Sequence, residues 1–265
     1  MSKVGNPRSG AGDPAPVEPA PAEPGNAARR AELARNLTGV RARIGAACAA
    51  AGRDPGEITL IAVTKTYPAS DVLALASLGL ADFGENRDQE AAPKAAAVAA
   101  ANQPVSWHFI GQLQSNKAHS VARYASVVHS VDRIRLVRHL GAAVSASPGR
   151  NSVGPALACL VQVSLDGDSS RGGVPPDGML EVAEAIAAEP GLTLGGLMAV
   201  APLGADPRAA FAPLRRLSEA VRSVNPSAAA ISAGMSGDLE AAIACGATHL
   251  RIGTALLGNR RLPVR

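Results

Sequence analysis

Aromatic residues are nearly missing from this chain: three Phe, two Tyr and one Trp make up 2% of its 265 residues. Lysine is almost as scarce, with Lys3, Lys65, Lys94 and Lys117 standing against 22 Arg. Too few aromatics exist to form a stacking platform for bases, the Arg residues are scattered, and a net charge of +4 is mild, so no nucleic-acid partner is expected. The three cysteines, Cys48, Cys159 and Cys245, form no CxxC pair, which argues against both a zinc knuckle and a disulfide framework. No run reaches the roughly 18–20 apolar residues that span a bilayer, and no apolar signal segment opens the chain. A cytoplasmic protein without membrane or metal is the expectation.

What is present is a chain 47% hydrophobic, enough to form a globular core. Residues 1–26 are the exception. Six prolines and no aromatic fall within the first 25 residues, a composition that cannot bury enough apolar surface to offset the entropy of ordering, so a disordered tail is expected there. From Ala27 to Ala51 the residues Leu33, Leu37, Val40, Ile44 and Ala47 recur at three-and-four spacing, which predicts an amphipathic helix ending at Gly52 and Pro55. Eight β-rich runs follow: Ile58–Thr64, Ala81–Gly84, Ser106–Ile110, Ser126–Val131, Ala156–Leu165, Leu194–Val200, Ala229–Gly234 and Thr248–Gly253. Helical stretches lie between them, among them 69–78, 89–101, 177–189, 207–224 and 238–245. Several runs are apolar throughout, as in parallel strands covered on both faces. The alternation predicts one α/β domain over residues 27–265: a (β/α)8 TIM-type barrel with an extra N-terminal helix. In such a barrel the functional residues sit at the C-terminal ends of strands and in the loops that follow.

Two features satisfy that condition. Lys65 ends the apolar run ITLIAVTK. A strand-end lysine can simply snorkel to solvent; if desolvated, its amine is a candidate for Schiff-base chemistry. The composition favours the second reading, because a chain that uses Arg for most cationic positions keeps here a side chain able to lose its proton. The second feature is a pair of Gly-plus-hydroxyl segments at the last two strands, SAGMSGD (Ser232–Asp238) and RIGT (Arg251–Thr254). Ser236 and Asp238 fall where a helix N-cap belongs. Each segment alone reads as a turn and a cap, whereas two on adjacent strands make a phosphate cradle the better reading. Arg251, inside an apolar strand, would either pair with an acid or donate to a ring nitrogen or anionic group.

A Schiff-base lysine and a phosphate cradle together suit pyridoxal 5′-phosphate. The chain resembles the pyridoxal phosphate homeostasis protein family, single-domain relatives of the alanine racemase N-terminal barrel. The matching segments are IAVTKTYPASDV (Ile61–Val72), DFGENRDQE (Asp82–Glu90), WHFIGQLQSNK (Trp107–Lys117), HSVDR (His129–Arg133), GLMAVAP (Gly196–Pro202), SAGMSGDLEAAIACGAT (Ser232–Thr248) and RIGTALLG (Arg251–Gly258). The resemblance implies that Lys65 carries the cofactor as an internal aldimine. It implies that Ser236, Gly253 and Thr254 hold the phosphate beside the Gly234–Met235 backbone, that Arg251 faces the pyridine nitrogen, and that Asn86 lies at the ring edge. His108, Gln112, Ser115, Asn116 and Lys117 would line the mouth, although the residues alone fit His108 equally well as a core histidine. Lys94 reads as a helix-surface residue.

Two departures stand out. Arg87 follows FGEN where the family commonly has Tyr or a similar residue, and Ser170-Arg171-Gly172-Gly173 replaces a Lys-x-Gly loop, so an imine-forming amine is missing there. The expected role is that of a non-catalytic carrier that binds pyridoxal phosphate and hands it to apo-enzymes, with no catalytic residue assigned. The alternative is an amino-acid racemase. Racemisation needs a second base opposite Lys65; in two-domain racemases this is a Tyr from the partner subunit's C-terminal domain. Here the chain ends soon after the last strand, and Tyr67 and Tyr124 lie in unsuitable segments. The absence of the dimer-forming domain also favours a monomer. A Schiff-base aldolase on a phosphorylated sugar shares the lysine and cradle, but would more usually place its lysine on a later strand.

Overall fold

A computed structural model describes residues 24–147, 156–168 and 171–258. Residues 1–23 of the expected tail lie outside them. The first helix starts at Pro24, three residues earlier than its periodicity suggested, and runs to Ala51 (α1). Its buried face is the one read from spacing, Leu33, Leu37, Val40, Ile44 and Ala47, joined by Cys48.

The strands are β1 (Thr59–Val63), β2 (Asp82–Glu85), β3 (Ser106–Phe109), β4 (Val127–Val131), β5 (Leu157–Gln162), β6 (Leu192–Met198), β7 (Ala230–Ser232) and β8 (His249–Ile252). All pair in parallel in sequence order, and β8 pairs with β1 to close the barrel. The helices after α1 are α2 (Ala69–Ala76), α3 (Asp88–Ala100), α4 (Ala118–Tyr124), α5 (Ile134–Ser145), α6 (Met179–Ala188), α7 (Pro207–Phe211), α8 (Leu214–Val224), α9 (Leu239–Ala244) and α10 (Thr254–Leu257). The stretch expected as one helix over 207–224 is two, because Pro213 has no N–H to continue the ladder and its ring crowds the preceding turn.

Strand alternation sorts the side chains into two layers. Ala62, Phe83, Trp107, Phe109, Val128, Ile231, Leu250 and Ile252 pack outward into the core beneath the helices. The interleaved Val63, Gly84, His108, His129, Ser232 and Arg251 therefore face the barrel axis, and Lys65 and Asn86 follow two residues beyond Val63 and Gly84, past the ends of β1 and β2. α1 packs on α2, α9 and α10. Two of its side chains hold the short α10 by its last carbonyls: Asn36 Nδ2 donates to Leu256 O at 2.9 Å and Arg29 Nη2 to Leu257 O at 3.0 Å. Arg29 is anchored by Asp71 of α2 at 2.7 Å, which raises its pKa further.

Candidate functional site

The mouth is assembled around Val63. Its strand partner Gly84 precedes Asn86 by two residues, and a Cβ on Gly253 would lie 3.5 Å from the Val63 carbonyl. Lys65, Asn86 and Gly253 thus reach the same end of the barrel from β1, β2 and β8. β7 joins them through Arg251 N, which donates to Gly234 O at 3.0 Å. Gly234 has φ +94°, and a Cβ there would meet the Ala242 methyl at 2.6 Å and Leu250 at 2.9 Å, so glycine is required both by backbone and by space. Asn86 is fixed from behind: a Cβ on Gly111 would fall 2.1 Å from its carbonyl oxygen.

The cradle differs in detail from the capping arrangement read in the sequence. Asp238 occupies the N-cap position of α9 but makes no side-chain cap bond; its carboxylate accepts the Met235 N–H instead. Ser236 caps a different helix, its Oγ accepting from Ala255 N at 3.1 Å in the first turn of α10. Gly253 O accepts from Leu256 N and Leu257 N, and Ser236 Oγ from Ala255 N, so the Ser236 hydroxyl lies against the start of α10, next to Thr254. Met235 and Thr254 are exposed, while Ser236 and Gly253 are half-buried.

Lys65 is exposed, and among the described residues nothing bonds its ammonium. The turn that carries it is, by contrast, closely held. Thr64 Oγ1 donates to Glu85 Oε1 at 2.7 Å, Lys94 Nζ donates to Thr64 O at 2.8 Å, and Tyr67 N bonds back to Thr64 O at 3.0 Å. Thr66 adopts φ +69°, uncommon for a β-branched residue, with its N–H accepted by Glu90 Oε2 at 3.0 Å. Lys94 also pairs with Glu85 Oε1. The expectation of a surface Lys94 is thereby corrected: it is 8% exposed, because that face of α3 covers the ends of β1 and β2. Burial raises the Glu85 carboxyl above its ordinary pKa against the opposing pull of Lys94 and Thr64, and Glu85 Oε2 is buried without a hydrogen-bond partner.

Below the mouth the axis is polar. Arg251, 5% exposed, donates to Ser232 Oγ at 2.6 Å and to Ala199 O at 2.9 Å and has no ion-pair partner among the described residues. Burial lowers its pKa to about 10. His108 proves to be a core histidine rather than a mouth residue, 3% exposed and bonded to Asp82 and His129 at 2.9 Å each. Gln112 and Asn116 are exposed, Ser115 and Lys117 half-buried, and Lys117 lies 3.9 Å from Asp88. Arg87 is 77% exposed. Arg171 is engaged by Asp166 and Ala201 O, both at 2.7 Å; its neighbour Ser170 lies outside the described residues. The sequence reading missed Glu85, His129, Ser232 and Asp82 as partners. A carboxylate beside buried Phe83 and Gly84 was the available signal, since buried acids are paired.

Fold and mouth define a closed (β/α)8 barrel with a lysine just past β1 and glycine-and-hydroxyl segments after β7 and β8, all at one end. The family model for the alanine racemase N-terminal domain matches residues 32–261, and the chain belongs to that family. Within it, the chain is a member of the pyridoxal phosphate homeostasis protein group. It is 46% identical over 245 residues to the pyridoxal phosphate homeostasis protein of Mycobacterium tuberculosis, covering 88% of this chain and 95% of that one. The solved structure of PipY from Synechococcus elongatus with pyridoxal phosphate bound is similar at TM-score 0.72 and 31% identity, covering 85% of this chain and all of that one. Alanine racemase of Corynebacterium glutamicum shares the fold at TM-score 0.62 and 14% identity, with 62% of its chain covered. Among the described residues, no helix is long and apolar enough to cross a membrane, and no group of three or more potential metal ligands occurs.

Proposed function

We propose that this protein binds pyridoxal 5′-phosphate through a Schiff base on Lys65 and serves intracellular homeostasis of the cofactor, delivering it to apo-enzymes in the cytoplasm as a monomeric carrier without robust catalysis. The observation that carries this reading is the placement of an unpartnered lysine amine just past the end of β1, at the same end of the barrel as the Gly253–Thr254 and Gly234–Ser236 segments that follow the neighbouring β8 and the next strand, β7. The residues fit the group. Its phosphate would take the hydroxyls of Ser236 and Thr254 and the backbone at Gly253–Thr254, beside the Gly234–Met235 backbone. When bound, the cofactor supplies an aldehyde that condenses with a primary amine and releases water. Asn86 would meet the ring edge. Arg251 has donors and no acceptor, so facing the ring nitrogen it would keep that nitrogen unprotonated and the ring a weak electron sink.

The carrier reading is supported by the state of the two tyrosines. Tyr67 donates its hydroxyl to Gly258 O at 2.8 Å. Tyr124 is at the end of α4 on the outer face, where burial raises its pKa and disfavours the phenolate. Neither is presented as a base at the mouth.

Titration with pyridoxal phosphate should give a yellow protein, and borohydride should fix a covalent adduct on Lys65 that mass spectrometry locates; Lys65→Ala should bind without the adduct. Wild type that stays colourless in excess cofactor would refute the reading. Mixing the loaded protein with an apo-enzyme and a cofactor trap tests delivery, and turnover in a chirality assay on common amino acids would replace the carrier with a racemase.

A further inference from the structure

The axis of a TIM barrel is ordinarily filled by layers of branched apolar side chains. Here a continuous polar chain crosses it: Arg251 Nη1 to Ser232 Oγ at 2.6 Å, Ser232 Oγ to His129 Nδ1 at 2.9 Å, His129 Nε2 to His108 Nδ1 at 2.9 Å, and His108 Nε2 to Asp82 Oδ1 at 2.9 Å. It runs through β8, β7, β4, β3 and β2, and the four residues from Arg251 to His108 are buried. Asp82, at the start of β2, is the end that meets solvent, with 28% of its side chain exposed.

Its proton arrangement follows from the donor and acceptor inventory. Arg251 only donates and an ionised Asp82 only accepts. His129 is fully buried, and burial together with the positive charges around it holds its pKa well below the ordinary value, so it is neutral. With Asp82 accepting from His108 Nε2, a neutral His108 offers Nδ1 as an acceptor. His129 must then donate from Nε2 and accept at Nδ1, which takes the Ser232 hydroxyl proton. The Ser232 lone pairs are left for Arg251. With both histidines neutral, one polarity satisfies all four bonds, every donor directed from the guanidinium toward the carboxylate. Ser106 Oγ also lies near His108 Nε2, at the longer distance of 3.5 Å. The other ionisable neighbours are His249, whose pKa burial lowers to about 4, and Asp238, which bears on Arg251 only at long range.

We propose that Asp82 is a remote positioning residue for Arg251: through His108, His129 and Ser232 it fixes the direction of the hydrogen bonds along the axis, so that the Ser232 oxygen is left as an acceptor and holds the Arg251 guanidinium in one orientation. The ordering belongs to the chain itself. That Arg251 faces a pyridine ring rests on the proposed function.

Long-range proton–nitrogen correlation spectra of the protein at neutral pH, recorded without cofactor, read the tautomers directly. His108 and His129 should each carry a proton on Nε2 and present Nδ1 as an acceptor. Asp82→Leu removes the charged acceptor, which biases the tautomers by roughly tenfold; His108 should then populate both forms and the Arg251 Nε resonance should move. Asp82→Asn, which keeps an acceptor oxygen, should restore the wild-type pattern. A proton on His129 Nδ1 in the wild type overturns the proposal without any variant, and so does an unmoved Arg251 resonance in folded Asp82→Leu. In loaded protein the same substitution should shift the visible band of the cofactor. A fixed band with a moved Arg251 resonance would overturn the link to the mouth. Wild type that takes up no pyridoxal phosphate would sink the proposed function and leave the tautomer result standing.

Discussion

Replacing Lys94 by Met tests how the lysine turn is held. Lys94 is buried, and its ammonium satisfies both Glu85 and the Thr64 carbonyl. Glu85 is fully buried, with one oxygen already unpartnered. Removing the cation leaves a carboxylate with the Thr64 hydroxyl as its remaining donor, and breaking a buried pair from one side costs about 3–5 kcal/mol. Equilibrium unfolding in urea should show that loss at pH 8. Without Lys94 the folded-state pKa of Glu85 rises still further above its unfolded value. The folded variant then binds the extra proton, so stability falls as pH rises through the range between the two values. The deficit relative to wild type should therefore be larger at pH 8 than at pH 5. Lys94→Met combined with Glu85→Leu removes both charges and should recover most of the stability. It does not restore the donor to Thr64 O, so it should still bind pyridoxal phosphate less tightly than wild type. A single-variant loss below about 1 kcal/mol, or a double variant no more stable than the single, would refute the reasoning.

Other changes separate mouth from scaffold. Gly234→Ala forces a methyl to 2.6 Å from Ala242 at φ +94° and should cost about 1–3 kcal/mol in the same unfolding assay, with weaker cofactor uptake. Ser236→Ala removes the acceptor of Ala255 N; an exposed-to-half-buried cap of this kind is worth about 1 kcal/mol, and fluorescence titration should show pyridoxal phosphate affinity falling more than stability does. His249 is depressed to about 4 by burial, so the unfolded chain takes up its proton first as pH drops below the ordinary His value. Stability should decline from about pH 6.5 toward pH 4, by roughly 3 kcal/mol from this group at most, and His249→Gln should flatten that slope; an unchanged slope would place the acid sensitivity elsewhere.

The eight strands were legible because each is a short β-rich run between turn residues, and their closure follows from pairing that no run records. The mouth was legible because strand ends, glycines and hydroxyls are local features, each read within a few residues. What escaped is non-local. Asp82, His108, His129, Ser232 and Arg251 sit on five strands, and only closure with a common inward parity brings them into one chain. His108 could be read either as a mouth residue or as a core histidine until its partners were in place. The capping of α10 by Ser236 was hidden for the same reason, since its acceptor role joins positions 19 residues apart.

Lysine scarcity illustrates how composition can point to chemistry while leaving its kind undecided. Among four lysines and 22 arginines, Lys65 stands where arginine's permanent charge would defeat an amine's role. Lys94 shows that a second physical cause preserves lysine equally well. Its compact ammonium reaches Thr64 O and Glu85 Oε1 from one buried point, a geometry that the planar guanidinium fork does not reproduce. The two lysines are coupled through Thr64: Lys94 is spent as a fixed cation gripping the residue that precedes Lys65, and Lys65 is left with its amine unengaged. A chain short of lysine thus keeps one to hold the turn and one whose amine is proposed to take the cofactor. Lys94→Arg should accordingly disturb cofactor uptake even though it conserves charge. Uptake indistinguishable from wild type would show that charge, and not the shape of the ammonium, is what this position requires.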